Sequence, residues 1–69
     1  MKISARNVLS GKIIAIVRGP VTTEVTLEIA PGVQIVSTIT STSAQSLDLR
    51  EGGTAYGVIK ASSVMIGTD

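Results

Sequence analysis

Cysteine, histidine, phenylalanine and tryptophan are all missing from this 69-residue chain. Without cysteine there is no disulfide and no thiolate site. Without histidine the commonest transition-metal ligand is gone, and with it the Ser-His-Asp and Cys-His arrangements of nucleophilic catalysis. Tyr56 is the single aromatic residue, so no platform exists on which the bases of a single-stranded nucleic acid would stack. The net charge is only +1, and Lys2, Arg6, Lys12, Arg18, Arg50 and Lys60 are scattered rather than gathered into a stripe that replaces phosphate counterions. The seven glycines form no GxxxxGK loop for nucleotide phosphates. No apolar run approaches the roughly 18 residues that span a bilayer. Lys2 is not followed by the apolar stretch of a signal peptide. Glu24 and Glu28 lie four apart on one strand face, about 13 Å by strand rise, too far for a paired-carboxylate mechanism. These absences predict a cytoplasmic protein that is not an enzyme, has no cofactor and no directly ligated metal, and meets neither membrane nor nucleic acid.

What is present is aliphatic. Apolar residues make up 43% of the chain, and with almost no aromatics they are mainly Ile, Val, Leu and Ala. Prominent β-branched residues favour strands. A short strand is expected at 2–4 and a turn around 5–9. Lys12–Arg18 follows as a strand that Gly19-Pro20 stops. It is apolar on both faces, which calls for burial on both sides. In "TTEVTLEIA", Thr23, Val25, Leu27 and Ile29 share one face while Glu24 and Glu28 share the other. Pro31-Gly32 turns the chain into "VQIVSTIT", so 22–40 reads as a hairpin. One short helix follows in "STSAQSLDLR", then a strand at 54–60, a tight turn at "ASS" and a last strand in "VMIG". The pattern predicts an all-β fold, an OB-like Greek-key barrel of about five strands with one short helix. An SH3-like barrel is the alternative. A chain this short buries little of its surface alone. With disulfides and histidine-held metals excluded, self-association is the remaining way to stabilise it.

Eight serines and eight threonines add a second theme. Strand alternation puts Ser4 and Arg6 on one face. Thr40 and Ser43 flank the start of the short helix, where N–H groups are free. Lys60 ends a strand and meets the Ala61-Ser62-Ser63 turn. A tetrahedral dianion needs several donors and some positive charge, and this set offers two cations with hydroxyls and backbone N–H groups. Each residue also has an ordinary reading: Thr40 or Ser43 as a helix cap, Lys60 as a solvated strand end, Arg6 as a surface charge.

Two motifs carry a resemblance. "ISARNVLSGKI" at 3–13 resembles the start of the molbindins, the small molybdenum-pterin-binding or Mop proteins, and of the related TOBE modules in molybdate transporter ATPases and molybdate-responsive regulators. Ser4, Ala5, Arg6, Asn7, Leu9, Gly11, Lys12 and Ile13 meet every specified position. "VIKASSVMIG" at 58–67 resembles the family's far end. The resemblance covers the chain as a single Mop/TOBE-type domain, residues 1–69. It implies molybdate or tungstate as ligand, held for storage and homeostasis at the subunit interfaces of a homohexamer, a trimer of dimers. It maps the oxyanion contacts onto Ser4, Arg6, Thr40, Ser43, Lys60, Ala61 and Ser62. Where the family often has serine this chain has Ala61, so that contact falls to a backbone N–H or to Ser62. Gly19, Val21 and Thr22 are the candidates for a second site. The alternatives are an OB-type nucleic-acid-binding module and a structural oligomer without a ligand.

Overall fold

A computed structural model describes all 69 residues. The order is β1 (Asn7–Arg18), β2 (Thr22–Ala30), β3 (Val33–Thr40), α1 (Ser41–Ser46), β4 (Thr54–Ile59) and a single 3-10 turn, Ala61–Ser63. All strand pairs are antiparallel in one sheet of order β3-β2-β1-β4. Three strands run as a meander and the fourth returns beside the first, which is Greek-key connectivity. The sheet curls into a half-barrel with α1 at one end.

β1 sets the shape by pairing with different neighbours along its two halves. Asn7 to Lys12 pairs with β4, and Lys12 to Arg18 pairs with β2, so Lys12 faces Thr54 on one side and Glu28 on the other. Beyond Lys12 the edge left by β4 is covered by the segment that precedes it. Ile13 exchanges 2.8 Å hydrogen bonds with Gly52 and Gly53, and the Arg18 guanidinium donates to the Leu49 carbonyl at 2.9 Å. That cover removes an edge open to unwanted pairing.

The inward face of β2 is the expected one: Thr23, Val25 and Leu27 are buried, together with Ile13 of β1 and Ala44 of α1. Ile16, Ile29, Ile35, Ile39, Leu49 and Ala55 pack around them, half-buried. Two glycines permit the curl. A Cβ on Gly11 would lie 3.0 Å from the Glu28 carbonyl oxygen, and one on Gly57 would overlap Ile35 Cδ1. At Gly57, β4 thus closes on β3 across the half-barrel. The Pro31-Gly32 turn forms as expected, with Gly32 at φ 75°.

Three element-level expectations are corrected. No strand forms at 2–4 or 64–67, and β1 begins at Asn7 where a turn was expected, so there are four strands rather than five. A strand exists only where a ladder holds it, and within one copy residues 2–4 and 64–67 have no ladder partner. The turn expected around 5–9 is replaced by the start of β1, and Gly11 lies within that strand where β2 crosses too close for a side chain.

Only five of 69 residues are fully buried. The surface is 5376 Å², whereas a monomeric globular protein of 7.1 kDa exposes about 4,100 Å². The radius of gyration, 12.7 Å, exceeds the roughly 11 Å of a compact chain this long. The excess is apolar in part: Val17, Val36 and Tyr56 on the sheet, and Met65 and Ile66 at 92% and 88% exposure. An open apolar groove of about 360 Å³, lined by Leu27, Ile39, Leu49, Tyr56 and Val58 among others, enters the half-barrel.

Gly57→Val is expected to lower stability by roughly 1–3 kcal/mol through overpacking against Ile35, read from urea unfolding midpoints at fixed protein concentration.

Candidate anion-binding site

The last rung of the β1–β4 ladder is Asn7 opposite Ile59. Arg6 is the residue before that rung and Lys60 the residue after it. The two cations therefore leave the sheet side by side. With Ile3, Ser4, Ala5, Ala61 and Ser62 they line an open pocket of about 420 Å³. The fold thus brings together five of the residues singled out in the sequence: Ser4, Arg6, Lys60, Ala61 and Ser62. Ser4 and Arg6 arrive from irregular backbone rather than from an edge strand.

The polar lining of the pocket is two cations and two hydroxyls. The 3-10 turn is closed by Ser63 N–H to the Lys60 carbonyl at 2.8 Å and Val64 N–H to the Ala61 carbonyl at 3.3 Å. The first N–H groups of such a turn have no partner within it, and those of Ala61 and Ser62 find no backbone acceptor elsewhere in the protomer. The loss of a serine hydroxyl at Ala61 leaves that N–H in place. No carboxylate lines the pocket. The one salt bridge of the protein joins Arg50 to Asp48 on the surface, so neither Arg6 nor Lys60 has an acidic partner.

Thr40 and Ser43 lie elsewhere. Thr40 caps α1: its Oγ1 accepts from the Ser43 N–H at 3.1 Å and donates to Ser43 Oγ at 2.7 Å. The Thr40 hydroxyl proton is thereby committed, whereas Ser43 Oγ only accepts and keeps its own proton for another acceptor. Residue by residue along the strands, this helix start is on the order of 25 Å from Lys60. β3 passes Gly57 at Ile35 and runs on to Thr40, while β4 runs from Gly57 the other way to Lys60. Within one protomer the two groups cannot touch the same anion.

Gly19, Val21 and Thr22 sit beside α1 rather than beside Arg6. Their turn is tied internally, Gly19 N–H to the Thr22 carbonyl at 3.0 Å. It is also tied to the helix, with Ser41 N–H donating to the Val21 carbonyl at 2.8 Å and Ser41 Oγ to the Gly19 carbonyl at 2.6 Å. Since Ser41 spends its only hydroxyl proton on Gly19, the buried Thr23 hydroxyl is the donor in its 2.8 Å bond to Ser41. Thr23 and Ser41 were not singled out in the sequence. Thr23 reads there as one more inward strand residue, and Ser41 as one more hydroxyl before a helix.

The TOBE domain model matches residues 3–66. The chain belongs to the TOBE family, in its molybdenum-pterin-binding, or Mop, group. It is 48% identical over 66 residues to molybdenum-pterin-binding protein 3 of Clostridium pasteurianum, covering 96% of this chain and 97% of that protein. It is 52% identical over 69 residues to the molybdenum transport protein ModE of Herbaspirillum seropedicae, but spans only 26% of that protein. The crystal structure of the cytoplasmic molybdate-binding protein ModG with molybdate bound superimposes at a TM-score of 0.93 and 40% identity, over 100% of this Mop chain and 49% of that one. No helix of this TOBE domain is long and apolar enough to cross a membrane.

Removing the helix cap by Thr40→Ala is expected to cost about 1 kcal/mol of stability, measured by thermal unfolding of the variant beside the parent.

Proposed function

We propose that this Mop chain is a cytoplasmic molybdate-binding protein serving storage and homeostasis of the oxyanion, and not an enzyme. We infer that it works as a homohexamer, a trimer of dimers, with each anion at an interface between subunits. Tungstate, alike in charge and size, is bound by the same groups. Residues 1–69 act as a single Mop/TOBE module in this reading.

The observation that carries the proposal is the convergence of Arg6 and Lys60 on one pocket with hydroxyls, open N–H groups and no carboxylate. Two like charges held together without a counter-ion suit a ligand of charge −2. The names of the relatives support the choice of anion, since they are described as molybdenum-pterin-binding and, for ModG, as molybdate-binding. The need for a second copy is supported by the wide separation of Thr40 and Ser43 from Lys60. It is supported too by the roughly 1,300 Å² of surface in excess of a monomer's. In the proposed site Ser4, Arg6, Lys60, Ala61 and Ser62 come from one subunit, and Thr40 and Ser43 from another. The Ser43 hydroxyl supplies the proton there, and Thr40 orients it. The turn of Gly19, Val21 and Thr22, beside the same helix start, is the candidate for further anions on the symmetry axes.

Selectivity follows from the donors. Phosphate is partly protonated near neutral pH and its O–H is best met by a carboxylate, which the proposed lining lacks; only hydroxyl oxygens could accept there, at the expense of their role as donors. Molybdate is fully deprotonated and needs none. Sulfate has the same charge and geometry as molybdate, so it is refused on size alone: smaller, it cannot reach all donors at once.

Calorimetry with molybdate tests the proposal directly. Binding is expected at micromolar protein, and no heat with either molybdate or tungstate would overturn it. Arg6→Ala is expected to weaken binding by about 2 kcal/mol or more, through loss of a charge-assisted donor. Unchanged affinity in an assembled variant would remove Arg6 from the site.

A further inference from the structure

Arg6 and Lys60 are both exposed, both positive and without acidic partners. Before a ligand arrives they repel one another, and the backbone beyond the last rung of the ladder has no further rung to hold it. One side chain bridges this end of the sheet. The Asn7 amide Nδ2 donates to the Ile59 carbonyl at 3.3 Å, across 52 positions of sequence. It is the only side-chain hydrogen bond between β1 and β4. The Ile59 carbonyl belongs to the peptide that joins Ile59 to Lys60, and Asn7 is joined directly to Arg6. The bridge therefore ties together the two backbone points from which the cations depart. Asn7 is half-buried and uncharged, so it adds neither repulsion nor a competing charge to the pocket.

We propose that Asn7 is a positioning residue of the anion site: its amide bridge to Ile59 holds Arg6 and Lys60 in convergence against their mutual repulsion. This rests on the functional reading above, and it assigns Asn7 no contact with the anion. Asn7 acts on affinity through the two cations, by lowering what must be ordered when the ligand binds.

A double-mutant cycle separates this role from a structural one. Asn7→Thr keeps a strand-forming residue but is too short to bridge to Ile59. Calorimetric molybdate affinities are compared for the parent, Asn7→Thr, Arg6→Ala and the double variant, with native mass spectrometry reporting assembly. Asn7→Thr is expected to weaken binding about tenfold in the parent background, and less than twofold when Arg6 is already alanine. Equal losses in both backgrounds, or no loss in the parent background, would overturn the positioning role. If Asn7→Thr does not fold, Asn7→Leu takes its place in the same cycle. A parent protein that binds no molybdate overturns the functional reading and this inference together. A parent that binds while Asn7→Thr is indistinguishable from it overturns this inference alone.

Discussion

The double pairing of β1 is the constraint on which the rest of this structure depends. Twelve residues long, it pairs with β4 along its first half and with β2 along its second, changing neighbours at Lys12. The sheet therefore coils, and Gly11 and Gly57 carry no side chain where the coil is tightest. The same strand sorts the polar residues into two groups. Its start delivers Arg6 next to Lys60, and its end delivers the Gly19 turn next to the capped helix. Curvature and chemistry thus share one cause.

Electrostatically the two ends differ. Around α1 the donors are largely spent: the Thr40 hydroxyl on Ser43, the Ser41 hydroxyl on Gly19, the Gly19 N–H on Thr22. These bonds tie the helix start to the Gly19 turn, with the Ser43 proton left over. Around Arg6 the donors are unspent, from the two cations to the first N–H groups of the 3-10 turn. In the proposed assembly, the spent corner of one copy meets the open donor cluster of another. Apolar strand residues such as Val17 and Val36 are left without cover, and in the proposed assembly they favour association independent of any ligand.

Much of this was legible in the sequence. Alternation in "TTEVTLEIA" identified the buried face of β2 because a half-buried strand imposes a period of two. The two-faced apolar run at 12–18 lies in β1, where Ile13 is buried while Ile14 and Val17 stay exposed. Thr40 with Ser43 signalled a helix start. The true start of β1 was not legible: residues 5–9 read as a turn, and the pairing of Asn7–Leu9 with Gly57–Ile59 that makes them strand depends on the fold. Nor could pattern alone show that 2–4 and 64–67 find no ladder partner within the protomer. Of the pocket, Ser4, Arg6, Lys60 and the Ala61-Ser62 turn had been singled out from residue type and motif, and they lie together. The distance between that cluster and Thr40 was not, because it depends on which strands close the half-barrel. Asn7 reads as a motif residue without a role until its amide is seen opposite Ile59.

The central claim is that one protomer holds only part of an anion site. Native mass spectrometry with and without molybdate tests it most directly, since it reads assembly and stoichiometry in one spectrum. The account predicts a species of six protomers that gains molybdate, while any residual monomer in the same spectrum carries none. Monomers that retain molybdate as the hexamer does, or a chain that stays monomeric and still binds it, would contradict the account.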